Sequence, residues 1–257
     1  MKQRLIRGGL GVLAFLVLAE AATRLGLIKS SVLPPMSAVV RSAVLLVGDT
    51  AFLRDVGATL YVWAVGMLLT IVVGVPLGVL LGTLPPVDRA VRGILEFLRP
   101  IPSVALVPLV IVIAQSDFRM RAIVIFYAAL WPVLINTMYG MREVDSLAKE
   151  TLRSYGFGRI SVLWRVALPH SMPFVATGIR MAASVGLILA VSAELLAGGS
   201  HGLGVFILKK SSGIDTTDEV LAAAIWAGAL GLVINQVLVQ LERSMFRWHV
   251  VRTEAAL

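Results

Sequence analysis

Two ionisable residues, Arg180 and Glu194, stand inside one long apolar stretch, Met172 to Leu196. A charge in such surroundings is costly and needs a partner, a polar cavity or an outlet to water. Arg180 reads in two ways: as a cation that holds an anionic solute, or as an anchor whose side chain snorkels to lipid headgroups. Glu194 comes just before Ala197-Gly198-Gly199, a run able to hinge a gate. Asn136, Ser184 and Ser192 are neutral hydrogen-bonding groups in similar surroundings, and either line a path or bond across helices. His170, His201 and His249 lack metal-ligand spacing. There is no Cys, no H-E-x-x-H and no G-x-x-x-x-G-K-[ST] phosphate loop. The residues therefore point to no catalytic site, no metal site and no ATP site in this chain.

The elements that carry these residues are membrane crossings. Of 257 residues, 58% are hydrophobic and 15% charged, against about 45–50% and 25% in soluble domains. The runs Val56–Val87, Ala122–Met141 and Val220–Leu241 hold no charge, and each is long enough for a helix of about 20 residues to cross the hydrocarbon. A β-barrel would alternate in segments of about ten instead. Six spans are expected: Gly8–Leu27, Val56–Leu84, Pro100–Gln115, Met120–Met138, Met172–Leu196 and Val220–Leu241. The net charge of +8 is assigned to topology rather than to nucleic acid. With the N-terminus inside, 14 Lys and Arg fall in inner pieces and 8 in outer ones. That bias places both termini in the cytoplasm. The first segment, with Ala19-Glu20-Ala21, also fits a cleavable signal peptide ending near residue 21. The Glu20–Arg24 pair at i,i+4 favours a retained helix.

Between the first two spans, Leu33-Pro34-Pro35-Met36-Ser37 marks a turn, with Ser37 able to cap a helix over about 37–54. Val40, Val44, Val47 and Ala51 would form its apolar face on the outer side. Gly74, Pro76, Gly78 and Pro132 lie inside spans, and Pro100, Pro102 and Pro108 cluster at the entry to the third. That cluster predicts a bent or re-entrant segment, which is tolerated only where protein or a water-filled path surrounds it.

The longest inner loop, about 140–170, carries the strongest local pattern. Asp145 or Ser146 can cap a helix on which Ala148, Leu152 and Tyr155 form one apolar stripe. Gly156 ends it. Ser161 can start a second short helix, Val162 to Leu168, closed by Pro169. Glu150 either pairs with Arg153 at i+3 or reaches a base on a partner. An exposed apolar stripe on a charged two-helix element outside the membrane should dock into something.

Glu150, Gly156, Val166, Leu168 and Pro169 fall in the pattern EAA-x3-G-x9-I-x-LP. In this the chain resembles the permease subunits of ABC importers, with Thr151, Leu152 and Val166 departing from the motif. Leu98-Arg99-Pro100-Ile101-Pro102-Ser103-Val104, Trp131-Pro132-Val133-Leu134-Ile135-Asn136-Thr137, Gly178-Ile179-Arg180, Ala193-Glu194-Leu195-Leu196 and Leu241-Glu242-Arg243 resemble the nitrate/sulfonate/taurine branch. Ala114 to Arg119 departs from it, lacking the glycine usual in that outer turn.

The resemblance implies an all-α polytopic bundle of the type I importer fold, a single permease domain over residues 1–257. It also implies a second permease copy, two ATPase subunits that hold ATP and Mg, an extracytoplasmic binding protein and a bacterial inner-membrane location. Leu147, Ala148, Glu150, Leu152, Arg153, Tyr155, Gly156, Leu168 and Pro169 would then couple the chain to the ATPase. Asn136, Arg180, Ser184, Ser192 and Glu194 would line the solute path. A sulfonate-, taurine- or nitrate-like anion is the expected cargo, with a vitamin or vitamin precursor as the alternative. The rivals are a stand-alone secondary transporter or channel, which gives no reason for the loop motif, and an intramembrane enzyme, for which no nucleophile or zinc site appears.

Overall fold

The computed structural model describes residues 2–30, 32–213 and 216–246, with side chains from residue 10 onward except residue 12. Among the described residues the chain is helical and has no strand. The helices are α1 (Lys2–Arg24), α2 (Met36–Leu46), α3 (Thr50–Thr83), α4 (Pro85–Leu98), α5 (Val107–Ile113), α6 (Asp117–Arg142), α7 (Ser146–Ser154), α8 (Arg159–Val162), α9 (Leu168–Ala197), α10 (Leu203–Ser211) and α11 (Thr217–Met245). A 3₁₀ turn, Ser103–Leu106, leads into α5, and a π-helical stretch, Leu163–Ala167, joins α8 to α9.

Four continuous helical stretches are long and apolar enough to cross a membrane: Thr50–Thr83, Asp117–Arg142, Arg159–Ala197 and Thr217–Met245. The pair Pro85–Leu98 and Ser103–Ile113 is apolar enough only when taken together and is bent by 82°, the form of a broken span or a re-entrant loop. This is the bend expected from the proline cluster. Pro100 and Pro102 have no N–H to continue α4, and Pro102 is extended at ψ 116°. At the bend the Leu98 carbonyl accepts from Ile101 N–H at 3.2 Å and from Tyr127 Oη at 2.6 Å. The first expected span, Gly8–Leu27, falls on α1, whose side chains before residue 10 lie outside the description.

Contacts divide the chain into two compact units, Met1–Thr59 with Gly198–Leu230, and Leu60–Ala197 with Gly231–Leu257. In the first, Glu20 pairs with Arg24 at 2.7 Å, as the spacing predicts. Ser37, expected to cap α2, instead donates its backbone N–H and its hydroxyl to the Glu20 carboxylate, and Pro35 holds the cap position. A carboxylate is the stronger acceptor and takes the hydroxyl away from its own helix. The expected extent of this helix, about 37–54, is corrected too. The helix ends at Leu46, Val39 and Leu46 are its buried residues, and Val40, Val44, Val47 and Ala51 are exposed. Phe52 stacks edge-on against Phe206, and the indole N–H of Trp226 donates to the Ala43 carbonyl.

In the second unit α6 is packed on two sides. Along α3, a Cβ added at Gly78 would lie 2.5 Å from Thr137 Cβ, and one at Gly82 would lie 2.6 Å from Met141 Cβ. Along α9, a Cβ at Gly178 would meet the Pro132 carbonyl oxygen at 2.9 Å. Small residues let helix backbones approach where lipid supplies no hydrophobic force between them. Val62, Ala122, Ile125 and Ala190 close one buried cluster, and Met67, Ala129, Val133, Ala182 and Ala183 another.

This packing makes a prediction. Gly78→Ala should destabilise the bundle by about 1–3 kcal/mol, the cost of an overpacked contact. Gly57→Ala, on the same helix with nothing within 4 Å, should be neutral or stabilising by up to ~1 kcal/mol. Thermal unfolding of the detergent-solubilised protein separates the two; equal melting temperatures would contradict the close α3–α6 approach.

Candidate coupling loop and solute path

The loop between α6 and α9 is built from a capped helix set on a buried floor. Asp145 caps α7, its carboxylate accepting from Leu147 N–H at 2.8 Å. At the other end Phe157 N–H donates to the Leu152 carbonyl and Gly156 N–H to the Arg153 carbonyl. Gly156 sits at φ +83°. These two bonds are the Schellman arrangement, and its left-handed residue is the expected glycine stop. Met141, Val144 and Ala167 form the buried floor, packed by Val79, Leu163 and Val166. Arg165 lies over the Phe157 ring at 5.0 Å.

The exposure of the loop differs from the expected stripe. Ala148 and Leu152 are half-buried and face their own protein, whereas Leu147 is 67% and Tyr155 79% exposed. Ile160 and Trp164, which the pattern did not single out, are exposed to a similar degree. Glu150 and Arg153 are both exposed, and no ion pair joins them. The second short helix does not close at Pro169. Helix continues from Arg159 to Ala197 through the π-helical stretch. Pro169 falls in the first turn of α9, where the hydrogen-bond register changes and a missing N–H costs little. Leu168 is half-buried and Pro169 exposed.

The path candidates separate into two groups. Arg180, Ser184 and Ser192 recur at four- and eight-residue steps along α9 with the exposed Ile188 between them, so they share one drifting face. Arg180 lies about three turns inside α9. Its Nε stands 3.2 Å from Glu242 Oε2 on α11, and the other Glu242 oxygen accepts from Thr177 Oγ1 at 3.1 Å. Ser184 is exposed and points its hydroxyl toward the Arg180 carbonyl at 3.5 Å. Asn136 donates Nδ2 to the Pro132 carbonyl at 2.8 Å and touches Met181 Sδ at 3.9 Å. This is a side-chain bond back to the carbonyl four residues earlier on its own helix.

Glu194 is not on that face. It is fully buried and pairs with Arg121 at 3.3 Å, itself 4% exposed, while Asp117 stands 4.0 Å from the same guanidinium. Arg121, like Arg180, thus lies inside one of the long apolar helices. Of the histidines, His170 is half-buried, His201 Nδ1 lies 3.1 Å from Asp55 Oδ1, and His249 is outside the described residues.

A charge cluster on α4 also escaped the sequence. Asp88 accepts from Arg92 at 2.6 Å and meets Arg142, at the end of α6, at 2.9 Å. The i,i+4 spacing of Asp88 and Arg92 was readable. Arg142 is 54 residues away from Asp88 and nothing local announces it.

Among families, the binding-protein-dependent transport system inner membrane component matches residues 74–247, more than half of the chain. The chain belongs to this family. It is 29% identical over 244 residues to the bicarbonate transport system permease protein CmpB of Synechocystis sp., covering 91% of this chain and 86% of that one. It is 31% identical to the nitrate import permease protein NrtB of Leptolyngbya laminosa, covering 73% and 66%. It is 28% identical to the taurine transport system permease protein TauC of Escherichia coli, covering 88% and 83%. In fold it matches an inward-facing MetNI methionine ABC transporter with a TM-score of 0.65 at 19% identity, over 75% of this chain and 94% of that one. The permease is thus a membrane-embedded transport subunit with the all-α fold of ABC importer permeases.

The buried pair gives the second prediction. Glu194→Ala leaves the Arg121 guanidinium without its nearest buried carboxylate and should cost about 3–5 kcal/mol. Replacing both residues with apolar ones, Arg121→Met with Glu194→Leu, should recover most of that loss. A double-mutant cycle on thermal stability checks it, and a double variant no better than Glu194→Ala would refute the pairing.

Proposed function

We propose that this permease forms half of a solute path with a second copy of itself and is driven by two separate ATPase subunits docked on the α7–α8 element. The observation that carries the reading is the set of exposed apolar side chains, Leu147 and Tyr155 on a helix capped at both ends and Ile160 and Trp164 on the helical stretch after it, the whole set on a buried floor. Exposed apolar surface on a rigid mount outside the spans favours a protein partner. Leu147, Glu150, Arg153, Tyr155 and Gly156 form the docking element. Ala148, Leu152, Leu168 and Pro169 hold it in shape. ATP and Mg belong to the partner, and an extracytoplasmic binding protein delivers the solute. The charge bias puts this loop and both termini in the cytoplasm.

The cargo in this reading is a small oxyanion, as the names of the nitrate, bicarbonate and taurine relatives favour. Arg180, Ser184, Ser192 and Asn136 are its path residues, with Glu242 holding the Arg180 guanidinium between passages. Glu194 supports the bundle through Arg121.

Three measurements test the proposal. Leu147→Asp combined with Tyr155→Asp should abolish uptake and co-purification of the ATPase while leaving membrane insertion unchanged; normal uptake with the ATPase retained would refute the docking surface. Single cysteines at Ser146 and Ser212, in a chain with no other cysteine, should label from opposite sides of the membrane. Labelling of both from outside intact cells would overturn the topology. At the path, Arg180→Lys and Arg180→Gln should both lower uptake per folded transporter, because only a guanidinium offers the planar two-pronged donor an oxyanion prefers. Normal uptake by Arg180→Gln would remove Arg180 from the path.

A further inference from the structure

A cavity of about 560 Å³ lies between the α7–α8 element and the end of α3. One wall is apolar: Pro76, Val79 and Leu80 from α3 and Leu84 just beyond its end, with Met141 and Leu163 also in the lining. Lys149, Arg153 and Arg159 supply its cations, and no Asp or Glu is among its lining residues. Among the described residues none of these three cations has a carboxylate within ion-pair distance. Elsewhere in the same unit, cations such as Arg92, Arg121, Arg142 and Arg180 are matched to acids. The wall belongs to a helix that crosses the membrane, so the cavity opens where the apolar and charged zones of the chain meet.

We infer that this cavity binds an anionic phospholipid, its phosphate on Lys149, Arg153 and Arg159 and its acyl chains along Pro76 to Leu84. Both halves of the lining are needed for this assignment. Three unmatched cations favour a negative group, since each Lys or Arg near a surface adds attraction for an anionic headgroup. A free phosphate would have no use for the aliphatic wall. An uncharged hydrophobe would leave the cations unmatched. The volume lies within the range of small-ligand sites, about 300–1,000 Å³, and accommodates a headgroup with the first part of its chains. The cavity adjoins the face proposed to dock the ATPase and shares Arg153 and Ile160 with it, so the test varies Lys149 and Arg159, which that face does not use.

The test uses the full-length permease in mild detergent, exchanged against vesicles of phosphatidylglycerol or phosphatidylcholine, with bound lipid read by native mass spectrometry. The wild type should retain phosphatidylglycerol over phosphatidylcholine. Lys149→Gln and Arg159→Gln should each weaken that preference about fivefold, whereas the charge-keeping pair Lys149→Arg with Arg159→Lys should preserve it. Size-exclusion profiles report folding. Should the double Gln variant aggregate, Arg159→Gln alone, at an exposed position, carries the comparison. Excess inorganic phosphate should leave the lipid in place. Displacement by phosphate would mean a simple anion site and overturn the lipid assignment. Equal retention by wild type and folded Gln variants would overturn it as well. Loss of ATPase co-purification in the Gln variants, with lipid retention unchanged, would reassign the cavity to the partner protein.

Discussion

Close approach of three helix backbones is the constraint on which the rest of the second unit depends. α6 has α3 against one side at Gly78 and Gly82, and α9 against the other at Gly178. In lipid the apolar side chains gain nothing by leaving one hydrocarbon surface for another, so contact area and interlocking must supply the association. At Gly78 there is no room even for a methyl group before Thr137 is reached. This register decides where the end of α6 emerges, and so where Arg142 meets Asp88 and where Met141 and Val144 lay the floor under the loop.

The same unit treats its charges in two ways, and the difference separates support from candidate chemistry. Arg121 and Glu194 are both almost entirely inaccessible. A pair so enclosed cannot exchange partners without exposing an uncompensated ion, which makes it a fixture. Arg180 and Glu242 keep 34% and 25% of their side chains exposed. Their pair can open toward a solute at a far smaller cost. Accessibility therefore distinguishes Arg180 from Glu194, although the sequence presents both as ions in one apolar segment.

What the sequence made legible is what depends on neighbours along the chain. Uncharged runs marked three of the long helices, because length and hydropathy are local sums. The proline cluster before α5 foretold a bend, and the asparagine-free run Leu152 to Phe157 with its single glycine foretold how α7 ends. What stayed hidden depends on partners distant in sequence. Tyr127 donating to the Leu98 carbonyl, Arg142 meeting Asp88 and Ser37 donating to Glu20 are choices among several competent groups. Periodicity found an apolar stripe on α2 at Val40, Val44 and Val47 but could not say whether it would meet protein or the membrane interface; those residues are exposed, and Val39 and Leu46 are the buried ones. In a chain surrounded by hydrocarbon, an apolar face carries no instruction to turn inward.

The absence of a break at Pro169 changes how movement of the loop can reach the path. Helix runs from Arg159 to Ala197, a length of about 58 Å at 1.5 Å per residue. Its first part belongs to the loop, and its middle carries the Arg180–Ser184–Ile188–Ser192 face. A displacement at the loop is therefore not spent in a flexible linker. It enters α9 along its own axis, through the π-helical stretch Leu163–Ala167. A π turn holds one residue more per hydrogen-bonded ring than the α-helix on either side, so its register can shift without unpairing a whole turn. The close-packed floor formed by Met141, Val144 and Ala167 prevents the loop from moving alone. Together these features favour transmission as a rigid-body tilt or a small rotation of α9, the kind of step that moves a packed bundle between two arrangements. A rotation would turn Arg180 relative to Glu242 before it altered any backbone hydrogen bond. The half-exposed ion pair is consequently the first contact on the proposed path that a movement of the loop would disturb.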